Sequence, residues 1–157
     1  MNFNGFLGGN DLLLEHHINL EGSSHMNHGE QSVLVVDDNK DVRDLVVHFL
    51  SADGFHVFSA SNGDDALAIL KANEVNLVLL DVMMPGKSGL EVLSEIRGSS
   101  HKDIRDVPVM MITAKSSTDD IDLALATGAN SYVIKPFRAT TIREKVRSIL
   151  ELPISVN

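Results

Sequence analysis

The chain contains no cysteine, which excludes disulfide bonds, thiol nucleophiles and cysteine-held metals. Aromatic residues make up only 4% of it, so any core must be aliphatic. No run approaches the roughly 18 consecutive apolar residues that a membrane span needs. No basic start leads into an apolar stretch, so no secretory signal is evident. Basic residues are outnumbered: 13 Lys and Arg face 22 Asp and Glu, a formal net charge of -9. That balance disfavours nucleic acid, whose phosphates attract basic surfaces, and disfavours docking on anionic membranes. These absences point to an acidic, soluble protein of the cytoplasm. With 157 residues, the chain has room for one ordinary domain.

Residues 1–25 differ from the rest. They hold Asp11, Glu15 and Glu21 but no Lys or Arg, and they close on Gly22-Ser23-Ser24-His25 before Met26. The segment reads as an expression tag or linker, with Met26 as the native start. The competing reading is a partner-derived peptide fused through a Gly-Ser linker, with Leu12, Leu13, Leu14, Ile18 and Leu20 as one amphipathic, docking stretch. Nineteen acids against thirteen bases remain without it, so the acidic character survives. Residues 26–31 form a short lead-in, 32–151 a single domain and 152–157 a tail.

From Ser32 onward, aliphatic runs of strand length alternate with segments of helical periodicity. Val33-Leu34-Val35-Val36, Leu77-Leu80 and Val109-Ile112 are continuous apolar runs, as expected of strands buried on both faces. Val57-Phe58 is shorter and has polar neighbours, which suits a sheet edge. Tyr132-Val133-Ile134 is the fifth strand. Between and after these lie five helical stripes. The first comprises Val42, Leu45, Val46, Phe49 and Leu50, closed by Asp53-Gly54, and the second Ala66, Ile69 and Leu70. Leu90, Leu93 and Ile96 mark the third; Ile121, Ala124 and Leu125, closed by Gly128, the fourth; and Ile142, Val146, Ile149 and Leu150 the fifth. Five β-then-α units predict an α/β fold: one doubly wound parallel sheet covered by helices on both sides.

In such sheets a ligand site lies beyond the carboxyl ends of the strands, where strand order reverses. The predicted strands end near Asp37, Ser59, Asp81, Thr113 and Lys135. Three carboxylates, Asp37, Asp38 and Asp81, would meet there and repel one another unless a cation joined them. Hard oxygen ligands suit Mg²⁺. Carboxylates, a metal, a hydroxyl and an ammonium together suit phosphoryl transfer, with Asp81 as nucleophile. The plainer alternative for any one of these acids is that it caps the following helix. His48, His56 and His101 lack metal-ligand spacing and read as surface residues, whereas Met110 and Met111 read as core filling. Arg143, Lys145 and Arg147 read as the solvated face of the last helix, with a partner surface as the alternative.

Four segments, in order, resemble response-regulator receiver domains of the two-component, chemotaxis-regulator type. They are Val33-Leu34-Val35-Val36-Asp37-Asp38, Asp81-Val82-Met83-Met84-Pro85-Gly86-Lys87-Ser88-Gly89, Met110-Met111-Ile112-Thr113-Ala114 and Tyr132-Val133-Ile134-Lys135-Pro136-Phe137. The resemblance spans about Ser32 to Leu150 and implies a flavodoxin-like sheet with strand order 2-1-3-4-5. It implies Asp81 as phosphoacceptor and Asp37, Asp38, Asp81 and the Met83 backbone carbonyl as ligands of Mg²⁺. Lys135 and Thr113 would contact the phosphoryl group, Tyr132 would be the switch aromatic, and Lys135-Pro136 would be cis. Met83 and Lys115 fall at positions that tune phosphoryl lifetime.

The implied function is a signalling module rather than an enzyme acting on other substrates. A histidine kinase or histidine phosphotransfer protein would be its donor. A downstream protein would dock at the face of the fourth helix, fifth strand and fifth helix. With no output segment in the sequence, it would be a stand-alone receiver or a piece excised from a larger regulator. The rival class is an enzyme on a similar sheet. An aspartate-nucleophile phosphatase wants Asp-x-Asp where this chain has a contiguous doublet, and a flavin protein wants a phosphate-cradling loop where it has Asp37-Asp38-Asn39-Lys40-Asp41. No Gly-x-x-x-x-Gly-Lys loop occurs, which argues against nucleotide hydrolysis.

Overall fold

A computed structural model describes residues 31–152. The first 30 residues, including the tag-like segment and Met26, lie outside the described residues, as do 153–157. In chain order the elements are β1 (Ser32–Val36), α1 (Lys40–Ala52), β2 (His56–Ala60), α2 (Gly63–Ala72), β3 (Leu77–Leu80), α3 (Gly89–Arg97), α4 (Lys102–Arg105), β4 (Val109–Thr113), α5 (Thr118–Thr127), β5 (Ser131–Ile134) and α6 (Ala139–Ile149). The five strands pair in parallel in the order β2-β1-β3-β4-β5, as the resemblance implied. β2 is an edge strand, and it runs to Ala60, one residue past the expected end.

Each aliphatic run feeds two cores, because successive side chains on a strand point to opposite faces. Leu34, Val36, Val78, Leu80, Val109 and Met111 pack with residues of α2, α3 and α5. Val33, Val35, Leu77, Leu79, Met110 and Ile112 pack with α1 and α6 on the other face. This explains why the three central strands show no polar alternation. Both Met110 and Met111 are fully buried, one in each core.

Helix starts follow local chemistry. Asn39, Asn62 and Ser117 each accept a hydrogen bond from a backbone N–H of the first turn, and Ser88 with Glu91 closes a reciprocal capping box on α3. Gly128, with φ +122°, ends α5 in a conformation that favours glycine.

Three expectations need correction. Leu45 and Leu125 were placed on apolar stripes, yet they are 54% and 46% exposed. Period 3.6 admits residues at the margin of a stripe, and α5 buries only Ala124 fully. The short helix α4 was not foreseen, since four residues carry no periodicity. Arg143 is not simply solvated: its guanidinium lies 5.5 Å over the Phe49 ring and its Nε is 3.0 Å from Asp53 Oδ2. That pair links α6 to the C-terminus of α1, although its angle falls short of a hydrogen bond.

Candidate functional site

Register brings the site together. Val36 lies opposite Leu80 in the β1–β3 ladder, so the next residues, Asp37 and Asp81, leave the sheet side by side. The Asp81 N–H still donates to the Val36 carbonyl (3.0 Å), and the Asp37 N–H to the Ala60 carbonyl (3.2 Å). On the far side of β3, β4 ends at Thr113, which pairs with Ile134; the Lys135 N–H then donates to the Thr113 carbonyl (2.9 Å). The Lys135-Pro136 peptide is cis.

Asp37 and Asp81 are only 3% and 5% exposed, Thr113 is fully buried, and Asp38 is exposed. The helix caps are Asn39, Asn62, Ser88 and Ser117, so none of the three aspartates is spent on capping. Carboxylate oxygens of Asp37, Asp38 and Asp81 lie within 4.8 Å of one another, the one such acidic trio among the described residues. Lys135 reaches across from the end of β5, its Nζ 2.7 Å from Asp37 Oδ2 and 2.9 Å from Asp81 Oδ2. One ammonium thus answers two nearly buried carboxylates while a third carboxylate stands at the rim.

The electrostatics reflect that imbalance. Burial raises the Asp37 carboxyl above its ordinary value, against hydrogen bonds from Lys135 and Asn39, and the charge of Asp81 adds to the rise. Burial alone would lower the Lys135 ammonium, but its bonds to Asp37 and Asp81 outweigh burial and raise it. Three hard oxygen donors with an unmet negative charge are a donor set that fits Mg²⁺.

The loop after Asp81 is closely constrained. Asp81 Oδ1 accepts from the Met83 N–H (3.1 Å). A Cβ on Gly89 would stand 2.0 Å from the Asp81 carbonyl oxygen, and the Gly89 N–H donates to Val82 (2.8 Å). Only glycine permits that approach, so the glycine eight residues after Asp81 shapes the strand end itself. Met83 is 54% exposed and, with Val82, Met84, Pro85, Ser88 and Lys115, borders an apolar cleft of about 470 Å³.

Thr113 and Tyr132 are linked through Lys115. The Lys115 N–H donates to Thr113 Oγ1 (3.3 Å), and the Tyr132 hydroxyl donates to the Lys115 carbonyl (2.7 Å). Tyr132 is half-buried; burial, with the charges of Asp120 and Asp81, raises its hydroxyl above the ordinary value.

Sequence reasoning missed two contributors. Arg43, one turn after the Asn39 cap, donates from its guanidinium to the Asp37 carbonyl (2.8 Å), and the Asn39 N–H donates to Asp37 Oδ1 (2.9 Å). A basic residue four positions after a helix cap was the available signal. Ser59, an expected strand end, is exposed on the edge strand and lies opposite Val35, one residue short of the end of β2. His48, His56 and His101 are exposed, as expected.

A doubly wound sheet of order 2-1-3-4-5 with an acidic cluster at its switch point defines a flavodoxin-like α/β domain. The sequence profile of the response regulator receiver domain matches residues 33–147, and the chain belongs to that family. A probable transcriptional regulator, ycf27, of Porphyridium aerugineum is 39% identical over 121 residues, covering 77% of this chain and 48% of that protein. The chain therefore spans about half the length of that curated relative. Among solved structures, the chemotaxis protein CheY4 of Vibrio cholerae is 28% identical with a TM-score of 0.72, over 76% of this chain and 98% of that one. A two-component response regulator from Clostridium difficile is 25% identical with a TM-score of 0.72, over 77% and 96%.

Proposed function

We propose that this domain accepts a phosphoryl group on Asp81 and changes its protein partners when it does. The observation that carries the proposal is the Lys135 ammonium bridging Asp37 and Asp81 inside a trio of carboxylates. Asp37, Asp38, Asp81 and the Met83 carbonyl would hold Mg²⁺, which when bound supplies positive charge beside the transferred group's oxygens. A carboxylate oxygen of Asp81 attacks the phosphorus of a phosphohistidine; the P–N bond breaks, and the imidazole leaves with its electron pair and takes up a proton. Lys135 keeps its charge throughout, releases its bonds to the carboxylates and turns toward the phosphoryl oxygens. Its raised value keeps it protonated for this task. The burial of Asp81 excludes competing nucleophiles and limits water to the open rim at Asp38.

The donor is a histidine kinase or a histidine phosphotransfer protein in the cytoplasm. The downstream partner docks on α5, β5 and α6, where Leu123, Leu125 and Ile134 are exposed. The Thr113 hydroxyl, now accepting from Lys115, would turn to donate to a phosphoryl oxygen. That turn releases Lys115 and, through it, the Tyr132 hydroxyl. The phosphoryl group shifts the population only as far as it binds one arrangement better. The domain is a switch rather than an enzyme toward other substrates, and the relative's name, a transcriptional regulator, is compatible with a switch feeding an output module.

The test is incorporation of phosphate from acetyl phosphate, read by intact mass with and without Mg²⁺. Wild type should take up one group only with the metal. Asp81→Asn should take up none while its circular dichroism spectrum is unchanged. Stoichiometric labelling of Asp81→Asn at another residue would overturn the assignment.

A further inference from the structure

The two carboxylates at the end of β1 are held by unequal means. The Asp37 N–H donates to the Ala60 carbonyl (3.2 Å), its Oδ1 accepts from the Asn39 N–H (2.9 Å) and its Oδ2 accepts from Lys135 (2.7 Å). Asp38 is exposed, and among the described residues no hydrogen bond or ion pair holds its carboxylate. Yet an oxygen of that carboxylate lies within 4.8 Å of those of Asp37 and Asp81. Its place in the trio is therefore set by the backbone that carries it.

That backbone is held from α1. Val36 is the last paired residue of β1 in both of its ladders, so the Asp37 carbonyl lies past the sheet. Asp37 is almost fully buried, and a carbonyl left there without a donor would be costly. Arg43 supplies the donor: from a half-buried position in the first turns of α1, its Nη1 reaches the Asp37 carbonyl at 2.8 Å. The Arg43 N–H meanwhile donates to the Asn39 carbonyl (3.0 Å), so one residue brackets the turn with both backbone and side chain. The Asp37 carbonyl and the Asp38 nitrogen belong to one planar peptide unit. Fixing the carbonyl fixes the plane from which Asp38 departs.

We propose that Arg43 is a positioning residue of the acidic trio. Through the Asp37–Asp38 peptide it holds the rim carboxylate of Asp38 where a cation can use it. The inference rests on the reading that the trio holds Mg²⁺. Groups that hydrogen-bond behind metal ligands set the direction of those ligands, and losing one typically costs about 10–100-fold in metal affinity. Arg43 acts at one remove, whereas Lys135 touches the carboxylates themselves. Its positive charge alone would oppose a second cation nearby. Positioning and charge therefore predict opposite signs when Arg43 is replaced by a neutral residue.

Calorimetric titration of the full chain with Mg²⁺, with no phosphate donor present, tests this. Wild type should bind Mg²⁺, and Arg43→Met should raise the Kd about tenfold while its circular dichroism spectrum is unchanged. An unchanged or lowered Kd would overturn the proposal, because lost charge alone tightens binding. A second arm asks whether Arg43 acts through Asp38. In Asp38→Asn, which already binds more weakly, adding Arg43→Met should raise the Kd by less than about threefold. A further tenfold rise there would make the two residues independent and refute the route through Asp38. Should Arg43→Met not fold, Arg43→Gln, whose shorter side chain carries no charge, should show the same rise and the same non-additivity. If wild type binds no Mg²⁺, the reading of the trio falls and this inference with it; a binding wild type with an unaffected Arg43→Met sinks the inference alone.

Discussion

The two ends of the sheet each gather polar groups, and they do so on opposite terms. At the carboxyl end, Asp37, Asp38 and Asp81 face one ammonium, and negative charge is left over. At the opposite end, the guanidinium of Arg97 meets carbonyls and one amide oxygen, and all its contacts are satisfied. Burial lowers the Arg97 guanidinium, with Asp106 opposing, but a guanidinium stays charged regardless. The first cluster is frustrated until something positive arrives; the second is complete. A region whose charges do not balance is a candidate for chemistry, and one whose polar groups all pair is a candidate for holding shape.

That contrast breaks first at Lys135. Lys135→Met removes the ammonium that bridges Asp37 and Asp81, and labelling by acetyl phosphate should slow about a thousandfold. A loss of less than tenfold would mean that charge balance there matters little. The same variant tests the sign of the titration. Because the folded value of Lys135 is raised above 10.5, its stabilising contribution is complete below that value and is lost as pH climbs through the higher folded value. Urea melts of metal-free wild type should therefore weaken in that alkaline window, and Lys135→Met should lack the corresponding drop.

The complete end should respond to loss in stability rather than in chemistry. Arg97→Met leaves the carbonyls of Gly128, Arg105 and Val107 short of donors, and should cost about 3 kcal/mol in urea unfolding. Labelling of the folded fraction should stay within about twofold of wild type, since Arg97 lies at the far end of the strands. If labelling collapses while stability holds, the division between the two ends is wrong.

A smaller effect of opposite sign is expected at Asp81. Asp81→Asn removes one of the crowded charges, so metal-free protein should gain about 1 kcal/mol. Added Mg²⁺ should stabilise wild type more than the variant and close the gap. Destabilisation by Asp81→Asn without metal would show that Lys135 already balances the site.

The finest adjustment concerns the rim. Met83 is exposed two residues after Asp81, and its thioether is at best a weak acceptor that cannot orient water. Met83→Asn places an amide there and should shorten the phosphorylated half-life by about threefold. An unchanged half-life would move control of water to Lys115 across the cleft.

Much of this was legible in the residues. Aliphatic runs stopped by Asp37 and Asp81 marked both the buried strands and the edge where polar groups would meet, because a strand buried on both faces tolerates charge only at its end. Less legible was the membership of each stripe: Leu45 and Leu125 satisfy a helical period yet face solvent. Helix α4 carries no pattern at all.

The sequence by itself determined the alternation of strands and helices, the aliphatic character of the core and the identity of the acidic trio, since each rests on local period or composition. It also held the glycines at 89 and 128, without saying what presses on them. Tertiary structure alone decided that Lys135, 98 residues from Asp37, bridges it to Asp81. It also decided that Arg97 reaches the Gly128 carbonyl 31 residues away, and that Thr113 and Tyr132 meet through the backbone of Lys115. Those contacts depend on strand register and on which loops the sheet brings to one end. Register is set by the packing of both faces together, a property that no single segment carries.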